Sequence, residues 1–250
     1  ELDCSGRVVA PGFLDLQAHV DADVVRHPVC DNFLQMGVTT LITGNCGGSV
    51  PNLAAHLGRL ERGGIGVNYG SLVGLGTVRT AILGTQNRAP DDGELGAMCA
   101  LVERGMRDGA FGVSTGLIYV PGTYASTVEI ASLASVAARY GGLYASHMRN
   151  ENDRIADSIR EILRIGQLAS IPVHVSRIKC TGKPNDAGPD AHLWHPGARH
   201  DRIGRARRPS SANQKSPCVV RALVVHGGRA IPYQISRIWL LDRSLPGNTM

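Results

Sequence analysis

From the N-terminus to about Pro189, short apolar runs of strand length alternate with longer stretches whose apolar residues recur every three or four positions. That alternation is the pattern of β-α units around a parallel sheet. Val8 to Val20 supplies a first strand, entered at Pro11-Gly12 and centred on Phe13-Leu14-Asp15-Leu16. Val38-Thr39-Thr40-Leu41-Ile42-Thr43 is a second, rich in β-branched residues and closed by Gly44. Val67 to Val73, Ala110 to Leu117, Gly142 to His147 and Pro172 to Ile178 bring the count to six. Between the last of these, Ser126-Thr127-Val128-Glu129 reads as a capping box that opens a helix through Leu133 and Val136, ended by Gly141-Gly142. Ile155, Ile159 and Leu163 then recur at helical spacing, a face expected to pack on the sheet.

Composition narrows the class. A chain of 250 residues, 43% of them hydrophobic, can bury a substantial core within one domain. Its 31 glycines and only 4% aromatics suit many strand-to-helix turns, so an α/β fold is favoured. There is no run of eighteen apolar residues and no basic stretch leading into an apolar one at the start, so neither a membrane span nor a signal peptide is expected. The six cysteines are scattered, which argues against a disulfide framework and for a cytoplasmic setting. Opening on Glu1 instead of Met suggests that the natural protein starts upstream.

The net charge of +5 hides a division. Residues 191–250 hold nine Arg and one Lys against two acidic residues, a net +8, which leaves −3 on the first 190. Both tryptophans and an Arg-Pro-Ser-rich stretch also fall in the last segment. Residues 1–190 are therefore read as one unit of β-α repeats, and 191–250 as an atypical basic tail, frameshifted or disordered.

In parallel barrels reactive side chains stand at the C-terminal ends of the strands. Gln17 and His19 end the first, Cys46 follows the second, His147 follows the fifth, and Arg177 with Lys179 ends the sixth. Gln17 and His19 are two apart, which on a strand gives them the same face. A Gln-x-His pair is a weaker metal signal than His-x-His, because an amide oxygen is a poor zinc ligand beside imidazole. Alone, His19 would be an ordinary surface histidine and Cys46 a small buried apolar residue; their joint placement carries the argument.

Val9-Ala10-Pro11-Gly12-Phe13-Leu14-Asp15, Gly37-Val38-Thr39-Thr40, Gly44-Asn45-Cys46-Gly47, Ser114-Thr115-Gly116-Leu117 with Tyr119, and Ser146-His147-Met148-Arg149-Asn150-Glu151 stand in one order over residues 3 to 188. Together they resemble the D-aminoacylase, or N-acyl-D-amino-acid deacylase, branch of the amidohydrolases. The resemblance implies an α/β amidohydrolase-type (β/α) TIM barrel with a small β-sandwich. Six of eight strand-helix units are visible, so the barrel is expected to be incomplete and the sandwich largely missing. It also implies a zinc site in which a cysteine replaces a carbamylated lysine. The lysines present, Lys179, Lys183 and Lys215, leave Cys46 as the available bridge. By position, His19 and His147 resemble metal ligands, and Tyr119 and Lys179 resemble substrate-contacting residues. The implied reaction is zinc-dependent hydrolysis of N-acyl-D-amino acids to a carboxylate and a D-amino acid.

The departures from the pattern matter as much. Gln17 stands where the family has its first histidine, and Arg177 where it has the strand-six histidine. A guanidinium stays protonated, offers no lone pair and repels a cation. The family's last-strand aspartate has no convincing counterpart, Asp242 being the sole late candidate, so the catalytic residue is left unassigned. One weakly held zinc ion, or none, is expected, and the alternative to an active enzyme is a catalytically inactive remnant.

Two further readings weigh less. Gly112-Val113-Ser114-Thr115-Gly116 matches a serine nucleophile elbow, followed in order by Asp157 and His174, but the elbow needs a strand running straight into a helix. Here strand-like Leu117 to Val120 and then Pro121-Gly122 follow. The arginines from Arg199 to Arg208 could bind a polyanion, yet few aromatics accompany them; a solvated stretch is the simpler reading and nucleic acid is not an expected partner.

Overall fold

A computed structural model describes residues 6–178 and 238–242. Its central feature is a run of parallel strands in chain order. β2 (Phe13–Asp15) pairs with β3 (Val38–Thr43), which pairs with β4 (Asn68–Ser71). A single residue, Leu72, separates β4 from β5 (Val73–Gly74), and its amide donates to Thr43 O at 2.9 Å. β5 then pairs with β6 (Gly112–Gly116), β6 with β7 (Leu143–His147), and β7 with β8 (Val173–Val175). Counting β4 and β5 as one strand, the six expected strands are all present and sequential neighbours pair throughout.

Helices follow the strands: α1 (Asp23–Arg26) and α2 (Asp31–Gln35) after β2, α3 (Leu53–Gly63) after β3, α4 (Leu75–Leu83) and α5 (Asp92–Arg107) after β5, α6 (Thr127–Ala138) after β6 and α7 (Ile155–Ala169) after β7. This is the βα succession of the expected barrel. A large core fills the space between β5–β8 and α4–α7, with Met98, Tyr144, Ile155, Ile162 and Ile165 wholly buried. Each such side chain contributes about 1.5–3 kcal/mol by leaving water. A smaller cluster around Val24, Leu41, Leu60 and Val67 supports the first strands.

Four expectations change in detail. The span from Val8 to Val20 is two strands, because β1 (Arg7–Pro11) pairs antiparallel with β9 (Ile238–Asp242) while β2 joins the parallel sheet. The break falls at Gly12, where a Cβ would lie 2.1 Å from Thr39 Oγ1. Asp242 thus sits opposite Arg7 in a two-stranded ribbon, not in the run of parallel strands. The Ser126 box is half made: Ser126 Oγ accepts from Glu129 N at 3.2 Å, but the Glu129 carboxylate turns inward to Arg79. The reciprocal box forms instead at Asp91 and Glu94, which open α5. On α7 the packed face runs through Ile155, Ser158, Ile162, Ile165 and Ala169, and Leu163 lies outside it, about half exposed. The remainder of residues 191–250 lies outside the described residues.

Candidate active site

The loop after β3 decides where the thiol points. Gly44, Cys46 and Gly47 all have positive φ, of 69°, 52° and 78°. For a residue with a Cβ, the left-handed region costs about 1–2 kcal/mol, so Cys46 is held there by its surroundings. Asn45, fully buried, donates from Nδ2 to Leu16 O at 3.1 Å and Ile42 O at 2.9 Å, tying the loop to the end of β2 and to its own strand. Gly47 N donates to Ser114 Oγ at 3.1 Å, and Thr77 N donates to Gly47 O at 3.1 Å. Gly116 has no room for a side chain, since a Cβ there would lie 2.2 Å from Cys46 O.

Around that thiol the structure gathers residues from distant parts of the chain. Cys46 Sγ lies 3.6 Å from His19 Nε2 and 3.4 Å from His147 Nδ1. His147 ends β7, opposite Gly116 in the parallel register, and is buried. Its other ring nitrogen, Nε2, lies 3.2 Å from Glu151 Oε1. That contact is at ion-pair distance without hydrogen-bond geometry, and it leaves Nδ1 facing Cys46. Tyr119 meets the same ring edge-on, with centroids 5.2 Å apart, and is about half exposed. The Arg149 of the same motif is engaged elsewhere: it forms a bidentate pair with Glu161 and donates to Thr123 O and Ala125 O, which fixes the segment beyond Tyr119.

Gln17 and His19 fall in the turn after β2, beyond the strand, so the turn and not strand alternation brings both to the site. With the Gln17 amide oxygen toward Arg177, both ends find partners: Nε2 donates to Ser176 O at 3.0 Å and Oε1 accepts from Arg177 Nε at 3.1 Å. The opposite orientation lets Nε2 donate to Cys46 Sγ at 3.5 Å but sets the amide oxygen against the Ser176 carbonyl. The two are exclusive, and the first satisfies more groups. Burial pushes the Cys46 thiol above its ordinary pKa, and Glu151 adds to that. Arg177 pulls the other way, as a Gln17 donor would, but with the amide oxygen turned to Arg177 the Gln17 contribution falls away.

The donors can be tested against zinc directly. Zn–S of about 2.3 Å and Zn–N of about 2.0–2.1 Å at the tetrahedral angle set sulfur and nitrogen about 3.6 Å apart. The two separations at Cys46, 3.4 and 3.6 Å, match. Among the described residues no group of three or more His, Cys, Asp and Glu side chains encloses a single point as it stands. Each histidine taken with Cys46 therefore has a spacing that suits zinc, but the three donors do not enclose a common point as they stand. Beside them, Gln17 and Arg177 pair with each other and offer no imidazole.

Sequence reasoning missed Asp21, two residues beyond His19. Its Oδ1 accepts from Tyr69 OH at 2.9 Å and lies 2.8 Å from Thr43 Oγ1, at the end of β3. Asp21 lines a cavity of about 510 Å³ with His19, Cys46, Tyr119 and Arg177. The signal available was its place two residues beyond His19, in the same turn after β2. Lys179 lies outside the described residues. Ser114 is fully buried, lies within β6 and donates to Gly44 O; its role is to hold the Cys46 loop, and the nucleophile-elbow geometry is absent.

Comparison with known proteins supports the fold and the likeness. No family model matches the chain. The D-aminoacylase of Alcaligenes xylosoxydans xylosoxydans is 38% identical over 207 residues, covering 74% of this chain and 43% of that protein. A solved structure of D-aminoacylase, described as defining a novel subset of amidohydrolases, superposes with a TM-score of 0.71 at 33% identity, over 74% of this chain and 44% of that one. The N-acyl-D-glutamate deacylase of Bordetella bronchiseptica, solved with zinc and a phosphonate mimic of the tetrahedral intermediate, gives 0.71 at 31% identity over 76% and 46%. The chain thus spans less than half the length of the relatives it matches.

Proposed function

We infer, from a chain about three quarters of whose length is homologous to the N-acyl-D-amino-acid deacylases, that its site serves metal-assisted hydrolysis of the amide bond in an N-acyl-D-amino acid. The observation that supports this reading is the approach of His19 and His147 to Cys46, each at a sulfur–nitrogen separation suited to joint ligation of zinc. When bound, zinc would supply a Lewis acid for the amide carbonyl and a water of lowered pKa.

The chain's own residues account for the rest of the arrangement. Cys46 must give up its proton to hold a metal, and burial makes that loss harder in its absence. Glu151 fixes the ring of His147 so that Nδ1 faces inward. Tyr119 stands edge-on to that ring and exposes part of its surface to the cavity, where it can contact the substrate. Lys179 is a second substrate contact by its place in the motif. Arg177 and Gln17 reserve the remaining flank of the site for something other than a metal.

The test is release of D-methionine from N-acetyl-D-methionine by the full chain, with zinc and after chelation. Turnover that needs zinc and vanishes in Cys46→Ala supports the reading. Absence of turnover in zinc-loaded protein would place this chain among inactive relatives.

A further inference from the structure

We propose that Arg177, oriented by Gln17, is an anion-binding residue of this site that takes the carboxylate of an acylated amino acid. The inference rests on the reading of the cavity as the place where that substrate is held, but it does not need the metal. Arg177 is exposed, lines the 510 Å³ cavity and makes no ion pair with any described carboxylate. Its Nε is spent on Gln17 Oε1 at 3.1 Å, and Gln17 is itself anchored on Ser176 O at 3.0 Å. A guanidinium tethered through Nε keeps both terminal nitrogens for a ligand, the fork that matches a carboxylate bidentately.

Neither neighbouring carboxylate forms an ion pair with it. Asp21 is engaged by Tyr69 and Thr43 on the first strands, and Glu151 faces His147. A second cavity, of about 520 Å³, adjoins the first along Cys46, Gly48 and Tyr119 and is lined by Ala81, Val120 and Pro121. Both open on the thiol, one with a guanidinium in its lining and the other with apolar side chains. An acylated amino acid has the same polarity, with a carboxylate at one end, an acyl chain at the other and the amide between. The pair Gln17 and Arg177 thus reads as a replacement that exchanges metal-binding capacity for a fixed positive charge.

Calorimetric titration of N-acetyl-D-methionine and of its C-terminal amide into the full chain separates this from the hydrolytic reading, because it is run with zinc removed. The parent is expected to bind the acid, and Arg177→Met to weaken that binding by at least about tenfold, as loss of a charge-assisted hydrogen bond does. Binding of the amide should be weaker and indifferent to the substitution. Gln17→Leu should weaken the acid in the parent and have no effect in Arg177→Met. Acid binding without any zinc-dependent turnover leaves this inference standing while the hydrolytic reading falls. Equal affinity of Arg177→Met and the parent for the acid, equal affinity of the parent for acid and amide, or no binding of the acid at all would overturn it. Because Arg177 is exposed, the variant is expected to melt with the parent, so lost affinity reports the charge.

Discussion

Glu151 Oε1 lies 3.2 Å from His147 Nε2, on the ring edge opposite the one that faces Cys46. Both side chains are buried, and they sit four residues apart, His147 ending β7 and Glu151 in the segment that leads to α7. The carboxylate is placed where a small ring rotation would let it accept the Nε2 proton of a metal-bound imidazole.

Replacing Glu151 with Gln should therefore lower zinc affinity by about 10- to 100-fold while leaving the fold in place. Competition with a chromophoric chelator measures the loss. An unchanged affinity would mean that Glu151 has no part in setting the ring.

Gly116 is a backbone position that the thiol loop depends on. A methyl group there meets Cys46 O at 2.2 Å, so the loop must move. Gly116→Ala is expected to cost about 1–3 kcal/mol of stability, the usual range for overpacking, and to abolish metal retention. Chemical denaturation and zinc content, measured on the same sample, check both halves.

Arg79 and Glu129 form an ion pair buried between α4 and α6, with Nη1 3.3 Å from Oε1 and Nη2 donating to Arg88 O at 2.6 Å. Arg79 is wholly buried, and burial holds the Glu129 carboxyl above its usual pKa despite the arginine. Removing one partner should be far worse than removing both. Arg79→Leu is expected to destabilise by about 3–5 kcal/mol, and the double variant with Glu129→Leu by clearly less. Additive losses in a double-mutant cycle would show that the pair is not coupled.

His56 and His174 are both held below their ordinary pKa by burial, and the Nε2 of His56 has no hydrogen-bond partner among the described residues. A folded-state pKa below the unfolded value means that the unfolded chain binds protons first as pH falls. The stabilisation is present above about pH 6.5 and is lost as pH falls through the depressed values. Melting temperature should thus drop between pH 7.5 and 5.5, and the drop should shrink in His56→Gln. A drop of the same size in that variant would remove His56 from the account.

How much of this was legible in the sequence follows from what each residue depends on. The parallel strands showed because short apolar runs alternate with helical spacing six times in order, the β-branched Val38–Thr43 most plainly. The split at Gly12 did not show, since it is set by Thr39 on a neighbouring strand. Glu129 has the right spacing for a capping box, and only the tertiary position of Arg79 draws it away. His19, Cys46 and His147 were found through motif and order, yet their approach to within 3.6 Å depends on three separate chain segments. The exchange of two histidines for Gln17 and Arg177 was visible as a loss. That the newcomers bond to each other required coordinates.

The central claim, one metal ion held on Cys46, is tested most directly by elemental analysis of zinc in the full chain after gel filtration, beside Cys46→Ala. About one zinc per chain is expected in the parent, held on Cys46 and its histidines, and none in the variant. Zinc retained equally by Cys46→Ala, or absent from the parent after incubation with excess metal, would contradict it.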